Sequence, residues 1–361
     1  MTKVALITNI PSPYRVLQFD LLNEELNNNL IIIYLKKTES NRKWNIPNLN
    51  HNYIFLKESF WSKFNLYPNI IPALSKATPD TIIATGFTPT ILITFIYAKV
   101  KNKKFIVFTD SWIHSVNKLS LLHKYIRKFI IPKADASICV GQKGRDYLES
   151  YGAKPKSIFI SPLSINNDYY QKFYKPLEER EYDIIFSGQF IEIKMPFFLI
   201  DILKELKLKN GTIKLLIIGS GPLEKKIMSK LEENNIEYYF PGFIQQENLP
   251  KFYSNAKILL FPTRKDPWGL VSNEACAVGT PVITCKNAGA ADDLIIHGYN
   301  GFVLPLSTGV WVKHINKLLT DNDLLEKFSQ NALSHIRHYS VTNAVKGIKD
   351  AINYDCNNLN E

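Results

Sequence analysis

Long apolar runs are missing from this chain of 361 residues. Its most apolar stretch, Ile91 to Ala98, is broken by Thr94 and falls far short of the ~20 residues that span a bilayer. The opening Met1-Thr2-Lys3 leads straight into a strand-like Val4–Thr8, without a basic lead and a long apolar core. No secretory leader is therefore expected, and the chain is read as cytoplasmic. Cysteine is scarce. Cys139, Cys276, Cys285 and Cys356 are scattered, and no two have metal-ligand spacing. A reducing compartment keeps such residues as thiols, which excludes disulfide and zinc scaffolds. No short-period repeat, low-complexity segment or nucleic-acid motif is visible, so no nucleic-acid partner is expected.

What is present is ordinary globular composition, with 45% apolar and 21% charged residues, which excludes wholesale disorder. The length suits two domains at roughly 100–200 residues each. Lys and Arg exceed Asp and Glu by 44 − 33 = 11. This charge has two readings. Richness in Lys, Asn, Ile, Tyr and Phe is what AT-rich codons produce without functional demand. The other reading is an anionic partner: a nucleotide phosphate, a lipid phosphate or an anionic inner-membrane surface.

The pattern is strand and helix in alternation. Short β-branched runs stand at Val4–Thr8, Leu30–Leu35, Thr81–Thr85, Phe105–Thr109, Ala136–Val140 and Ser157–Ile160. Helix-length segments such as Tyr14–Leu26, Leu119–Ile131 and Lys143–Tyr151 separate them. Such alternation predicts parallel sheets covered on both faces. It stops at Asn166–Tyr182, which reads as a linker, and restarts at Asp183–Ser187. Further runs follow at Lys214–Ile218, Glu237–Phe240, Lys257–Phe261, Val282–Cys285 and Phe302–Leu304, then a helical tail from about Asp323 to Tyr354. The expected division is 1–170, 171–335 and a tail over 336–361 that packs back on the first domain. In open parallel sheets ligands bind beyond the carboxyl ends of the strands, so chemistry is sought there.

The most informative stretch runs from Phe261 to Ile283. A strand end is followed by a loop with Asp266, Pro267, Trp268 and Gly269, then a helix from about Leu270 to Val278, with Gly279 as its C-cap. Free N–H groups at the helix start would suit a phosphate or a sugar hydroxyl. Leu270, Glu274 and Val278 share one helix face. A carboxylate on that apolar face needs a partner. Hydroxyl groups of a ligand would serve, and so would protein groups.

This stretch resembles the signature of the retaining glycosyltransferases of family 4, which have the GT-B fold. Their pattern is Glu-x7-Glu followed by Ala, a small residue, Gly and Pro-Val. Here it is Asp266-x7-Glu274, then Ala275, Ala277, Gly279, Pro281 and Val282. The resemblance implies an α/β protein of GT-B type, with two doubly wound, Rossmann-like domains facing across a cleft. It implies that Glu274 binds the ribose diol of a sugar nucleotide and that Asp266, one methylene shorter than the family Glu, contacts the donor sugar. Trp268, Gly269, Leu270 and Val271 are implied in donor binding beside them.

The segment Gly188-Gln189-Phe190-Ile191-Glu192-Ile193-Lys194 resembles the family's Gly-Arg-x4-Lys. Lys194 then matches the cation on the donor pyrophosphate. Gln189 replaces an Arg, losing a charge and a bidentate contact, and Arg264 could compensate. Gly219-Ser220-Gly221-Pro222 and Pro241-Gly242-Phe243 resemble the family's turns near the nucleotide. Gly289 to Leu294, with Asp293 in the acidic position, and Asn300-Gly301-Phe302 extend the likeness over almost all of 183–305. In the first domain, Asn9 to Arg15 forms the opening loop, with Pro13, Tyr14 and Arg15 expected on the acceptor side. Its form resembles members that build bacterial surface polysaccharides. Asp110 and His114, after the strand at Phe105–Thr109, are catalytic candidates with Lys194 and Asp266.

The resemblance implies a retaining transfer from a UDP- or GDP-sugar to an acceptor hydroxyl on a lipid-linked or growing glycan, with no metal or other cofactor. A same-face attack assisted by the leaving phosphate is expected. The basic, aromatic segment Lys118–Lys133 could place the protein on the inner face of the plasma membrane. The alternatives are a nucleotide-sugar epimerase of the same fold and a non-catalytic sugar-nucleotide-binding protein.

Overall fold

The computed structural model describes residues 2–39, 42–116 and 120–355. The chain forms two compact units. One runs to Leu163 and regains the chain from Val341 onward, and the other is Ser164–Ser340. Lys118, Leu119 and Cys356 lie outside the described residues.

The first unit alternates β1 (Val4–Thr8), α1 (Pro13–Glu25), β2 (Leu30–Tyr34), β3 (Asn52–Phe55), α2 (Ile70–Ala77), β4 (Thr81–Thr85) and α3 (Pro89–Val100). It continues with β5 (Lys104–Thr109), α4 (Leu121–Ile130), β6 (Ala136–Cys139), α5 (Gln142–Ser150) and β7 (Ile158–Ile160). The sheet order is β3-β2-β1-β4-β5-β6-β7, with parallel pairing throughout. Covered on both faces, its central strands are almost wholly apolar and buried, as in Leu30-Ile31-Ile32-Ile33-Tyr34. Strand β3 escaped the sequence reading because it is an edge strand, partly exposed, and has no apolar run. Pro13 and Pro89 open α1 and α3 at N1, where a missing N–H costs nothing.

The second unit opens with α6 (Asn167–Gln171), then β8 (Tyr182–Gln189), α7 (Pro196–Asn210), β9 (Lys214–Ser220), α8 (Glu224–Glu233), β10 (Glu237–Tyr239) and α9 (Leu249–Tyr253). It goes on through β11 (Ala256–Phe261), α10 (Val271–Ala277), β12 (Val282–Thr284), β13 (Gly301–Val303), α11 (Thr308–Thr320) and α12 (Asn322–His335). Its sheet is also parallel, ordered β10-β9-β8-β11-β12-β13. The expected single helical tail is broken by a tight turn over Ile336–Tyr339, after which α13 (Val341–Asn353) packs in the first unit against α1 and β7. There Ser161 donates from Oγ to the Ala344 carbonyl at 2.8 Å. A Cβ on Gly347 would stand 2.0 Å from the Ile160 carbonyl oxygen, so this helix lies against the strand only with glycine.

The stretch Asn166–Tyr182, read as a linker, is built into the second unit. Its polar composition hid two buried anchors, Tyr170 and Arg180. Arg180 is bonded to neutral groups. It donates from Nη1 to the carbonyls of Ala256 and Gly279, each at 3.1 Å, and to Thr280 Oγ1 at 2.9 Å. Nη2 donates to the Val278 carbonyl at 3.2 Å, and Nε to the Lys175 carbonyl at 3.0 Å. Helix carbonyls left over at a C-terminus need donors, and a cation suits that end of the helix dipole. Arg180 thus closes α10 at Val278 and Gly279. Burial holds its guanidinium down to about 10. Replacing Arg180 by Met should keep the apolar bulk and strand several buried carbonyls, each costing ~1–3 kcal/mol. Urea unfolding should show a loss of about 3 kcal/mol or more, and a change below ~1 kcal/mol would remove this role.

Candidate active site

In the second sheet the chain moves from β8 outward to β9 on one side, while β11 lies on the other and leads to β12. Loops leaving the carboxyl ends of β8 and β11 therefore diverge, and the space between them is where such sheets take ligands. The sequence candidates gather on these loops.

Gly188 and Gly219 are partners in the β8–β9 ladder. A Cβ on Gly219 would stand 1.9 Å from the Gly188 carbonyl oxygen, and its φ is +144°. Only glycine fits there. Gly219 N donates to the Gly242 carbonyl at 3.0 Å, so the three glycines converge. Phe243 stands next to them, exposed. Gln189 ends β8 opposite Ser220.

Past β8 a tight turn over Glu192–Lys194 is held against the loop after β11. The Ile193 carbonyl accepts from Arg264 N at 2.8 Å and from Thr263 Oγ1 at 3.1 Å. This tie brings the Lys194 ammonium onto Asp266 Oδ2 as an ion pair. The other oxygen, Oδ1, accepts from Trp268 N at 3.1 Å. The Arg264 side chain is exposed. The Trp268 indole turns inward. Its Nε1 donates to Asn273 Oδ1 at 2.8 Å and its ring lies 5.7 Å from that of Tyr339. Gly269, at φ +98°, makes the bend into α10, where a Cβ would meet the Phe261 ring at 2.1 Å. Leu270 and Val271 stay half-exposed at the helix start.

Glu274 is buried on α10, and protein groups do partner it. Tyr253 OH donates to Oε2 at 2.8 Å, and Tyr170 OH reaches Oε1 at 3.5 Å. Burial pushes its carboxyl up to about 7 against the pull of both phenols. Tyr253, Tyr170, Asn273 and Arg180 were not singled out from the sequence. Each lies far from its partner along the chain or carries no motif spacing.

In the first unit the corresponding switch lies between β1 and β4. Pro13 and Tyr14 begin α1, both half-buried. The Arg15 guanidinium lies 4.5 Å over the Phe108 ring and donates to Gln18 Oε1 at 2.7 Å. Gln18 in turn donates to Ser161 Oγ at 2.8 Å. Asp110 and His114 are exposed after β5, the His114 ring edge-on to Trp112 at 5.3 Å. On α4, Leu121, Leu122, Tyr125 and Phe129 are exposed among Lys124 and Lys128. Arg127 does not belong to that surface. It is buried, with Nε donating to Tyr147 OH at 2.6 Å and its guanidinium over Phe87 at 4.5 Å. Among the described residues no cluster of His, Cys, Asp or Glu could hold a metal ion, and no helix is long and apolar enough to cross a membrane.

Residues 170–335 match the family model described as Glycosyl transferases group 1. The match covers nearly all of the second unit. The chain is 26% identical over 237 residues to an uncharacterized glycosyltransferase of Methanocaldococcus jannaschii, covering 64% of this chain and 63% of that one. It is 29% identical over 181 residues to the capsular polysaccharide biosynthesis glycosyltransferase CapM of Staphylococcus aureus, covering 48% and 46%. Both alignments span less than two thirds of the relative. Among solved structures it resembles Anabaena HepE in complex with UDP and glucose, at a TM-score of 0.76 and 15% identity over 98% of this chain and 99% of that one. That likeness shows the fold: two Rossmann-like parallel-sheet domains of the GT-B kind.

The Glu274 environment has a pH signature. Its folded value of about 7 lies above the ordinary 4.5, so the folded chain holds a proton that the unfolded chain releases. This contribution is fully present below about pH 4.5 and fades as pH rises through 7, a loss of about 3 kcal/mol. Urea unfolding at pH 5 and pH 8 should show this slope in wild type and a flatter one in Glu274→Gln. Equal slopes would refute the raised carboxyl.

Proposed function

We propose that this protein is a retaining glycosyltransferase that moves a sugar from a nucleoside-diphosphate sugar, a UDP- or GDP-sugar, to an acceptor hydroxyl. The observation that carries the reading is the placement of Lys194, Asp266 and Glu274 around the β8/β11 switch of the unit that matches the group 1 family model. The HepE complex with UDP and glucose supports a sugar-nucleotide donor. The name of CapM supports an acceptor in bacterial surface polysaccharide, lipid-linked or growing.

In this scheme Glu274 accepts hydrogen bonds from the ribose hydroxyls and Asp266 from the transferred sugar. The anomeric C–O bond to the diphosphate breaks, and the Lys194 ammonium meets the charge that develops there, stabilisation that grows toward the transition state. The acceptor oxygen attacks from the face the diphosphate leaves, and its proton passes to a diphosphate oxygen. No metal enters the scheme. Pro13, Tyr14 and Arg15 are assigned to the acceptor side, and Asp110 and His114 are assigned, with Lys194 and Asp266, as catalytic candidates.

A thermal-shift screen across nucleotide sugars identifies the donor, because a ligand bound only by the folded state raises its stability. With that donor at pH 8, Glu274→Gln should weaken binding by ~1.5–3 kcal/mol, since an amide keeps the shape and loses the charged acceptor. Unchanged affinity by calorimetry would refute the ribose role. Transfer assays with and without acceptor separate this reading from an epimerase, which needs none.

The α4 surface supports an anionic membrane as the acceptor's setting, each basic residue near it adding about 1 kcal/mol. Lys124→Glu, Lys128→Glu and Lys133→Glu together should reduce binding to anionic vesicles and leave donor affinity unchanged. Equal sedimentation with anionic and neutral vesicles would overturn the membrane setting.

A further inference from the structure

The Lys194–Asp266 ion pair is hard to explain as a stabilising device. Side-chain exposures of 23% and 10% mean that each ion has surrendered much of its water, and ion pairs so placed add little net stability. The surrounding loops do not need it either. Arg264 N and Thr263 Oγ1 already fix Ile193, and Asp266 N donates to the Asn287 carbonyl at 3.1 Å. Trp268 N holds Oδ1 from the other side. The backbone is therefore set on both loops, and the bond between Lys194 and Oδ2 can open by side-chain rotation alone.

We infer that Asp266 is a latch on Lys194, and that donor binding exchanges the partners of both. This deepens the proposed function and rests on its reading of Lys194. Before the donor arrives, Asp266 neutralises the ammonium and keeps it aimed along the β8/β11 edge. The diphosphate, with more negative charge and several acceptor oxygens, displaces the carboxylate. Oδ2 then turns to the hydroxyls of the sugar. A nucleoside diphosphate without its sugar opens the latch but gives Oδ2 no hydroxyl in return. Asp266 thus favours intact donor over spent nucleotide, which acts as a specificity and product-release device.

Asp266→Asn tests this, because the amide oxygen still accepts from Trp268 N while its NH2 cannot hold the ammonium. Binding of UDP and of GDP is measured by calorimetry in wild type, Asp266→Asn, Lys194→Met and the double variant, with thermal melting to confirm folding. The latch predicts that Asp266→Asn binds the preferred nucleotide about tenfold tighter than wild type while turning over sugar nucleotide more slowly. In the Lys194→Met background the same replacement should bring no gain, since the cycle isolates the pair. An equal gain in that background would mean that Asp266 merely repels anions, and the latch would be wrong. No gain in Asp266→Asn, with Lys194→Met still weakening nucleotide, would sink the latch and leave the proposed function standing. Unchanged affinity in Lys194→Met would sink both.

Discussion

Parallel pairing is the constraint on which the rest of this structure depends. When all strands run one way, every carboxyl end falls on the same edge and each return must cross a face of the sheet. A crossover that leaves β8 toward β9, with β11 behind it, opens the edge at one place. The glycine convergence, the Lys194 turn and the Asp266 loop all occupy that place, although they come from distant parts of the chain. The first sheet repeats the arrangement between β1 and β4, where the Pro-Ser-Pro loop and Arg15 stand.

Helix α10 shows a second principle, the handling of buried charge by neutral dipoles. At its C-terminal end Arg180 is satisfied by carbonyls and a hydroxyl. Within the helix Glu274 faces two phenols. The hydrogen-bond partners of both are neutral groups. Neutral partners lower the desolvation cost without spending the charge on a fixed ion pair, so Glu274 keeps the capacity to respond to incoming hydroxyls. The pair at Lys194 and Asp266 follows the opposite rule: two full charges, each with somewhere else to go.

Much of this was legible in the sequence. Every expected strand run reappears within a few residues, because buried parallel strands write themselves as short β-branched stretches. The Asp266-x7-Glu274 spacing placed a loop and helix correctly because one strand–loop–helix unit carries both. What failed depended on tertiary burial. Arg127 sits in a basic, aromatic run yet points inward onto Tyr147. Composition marks a residue as polar or aromatic and leaves its direction to the fold. Arg180 was hidden for the same reason: a charged run reads as solvated until four acceptors from distant segments surround it.

The return of α13 to the first unit sets an order of synthesis. Ala344, Val345, Ile348 and Ala351 are buried there, against elements made more than 180 residues earlier. A ribosome adding ~5–20 residues per second completes the whole second unit before this helix exists. The first unit therefore waits, with the α1 and β7 surface uncovered, until α13 has been made. The second unit, begun later, is the first to have all its parts.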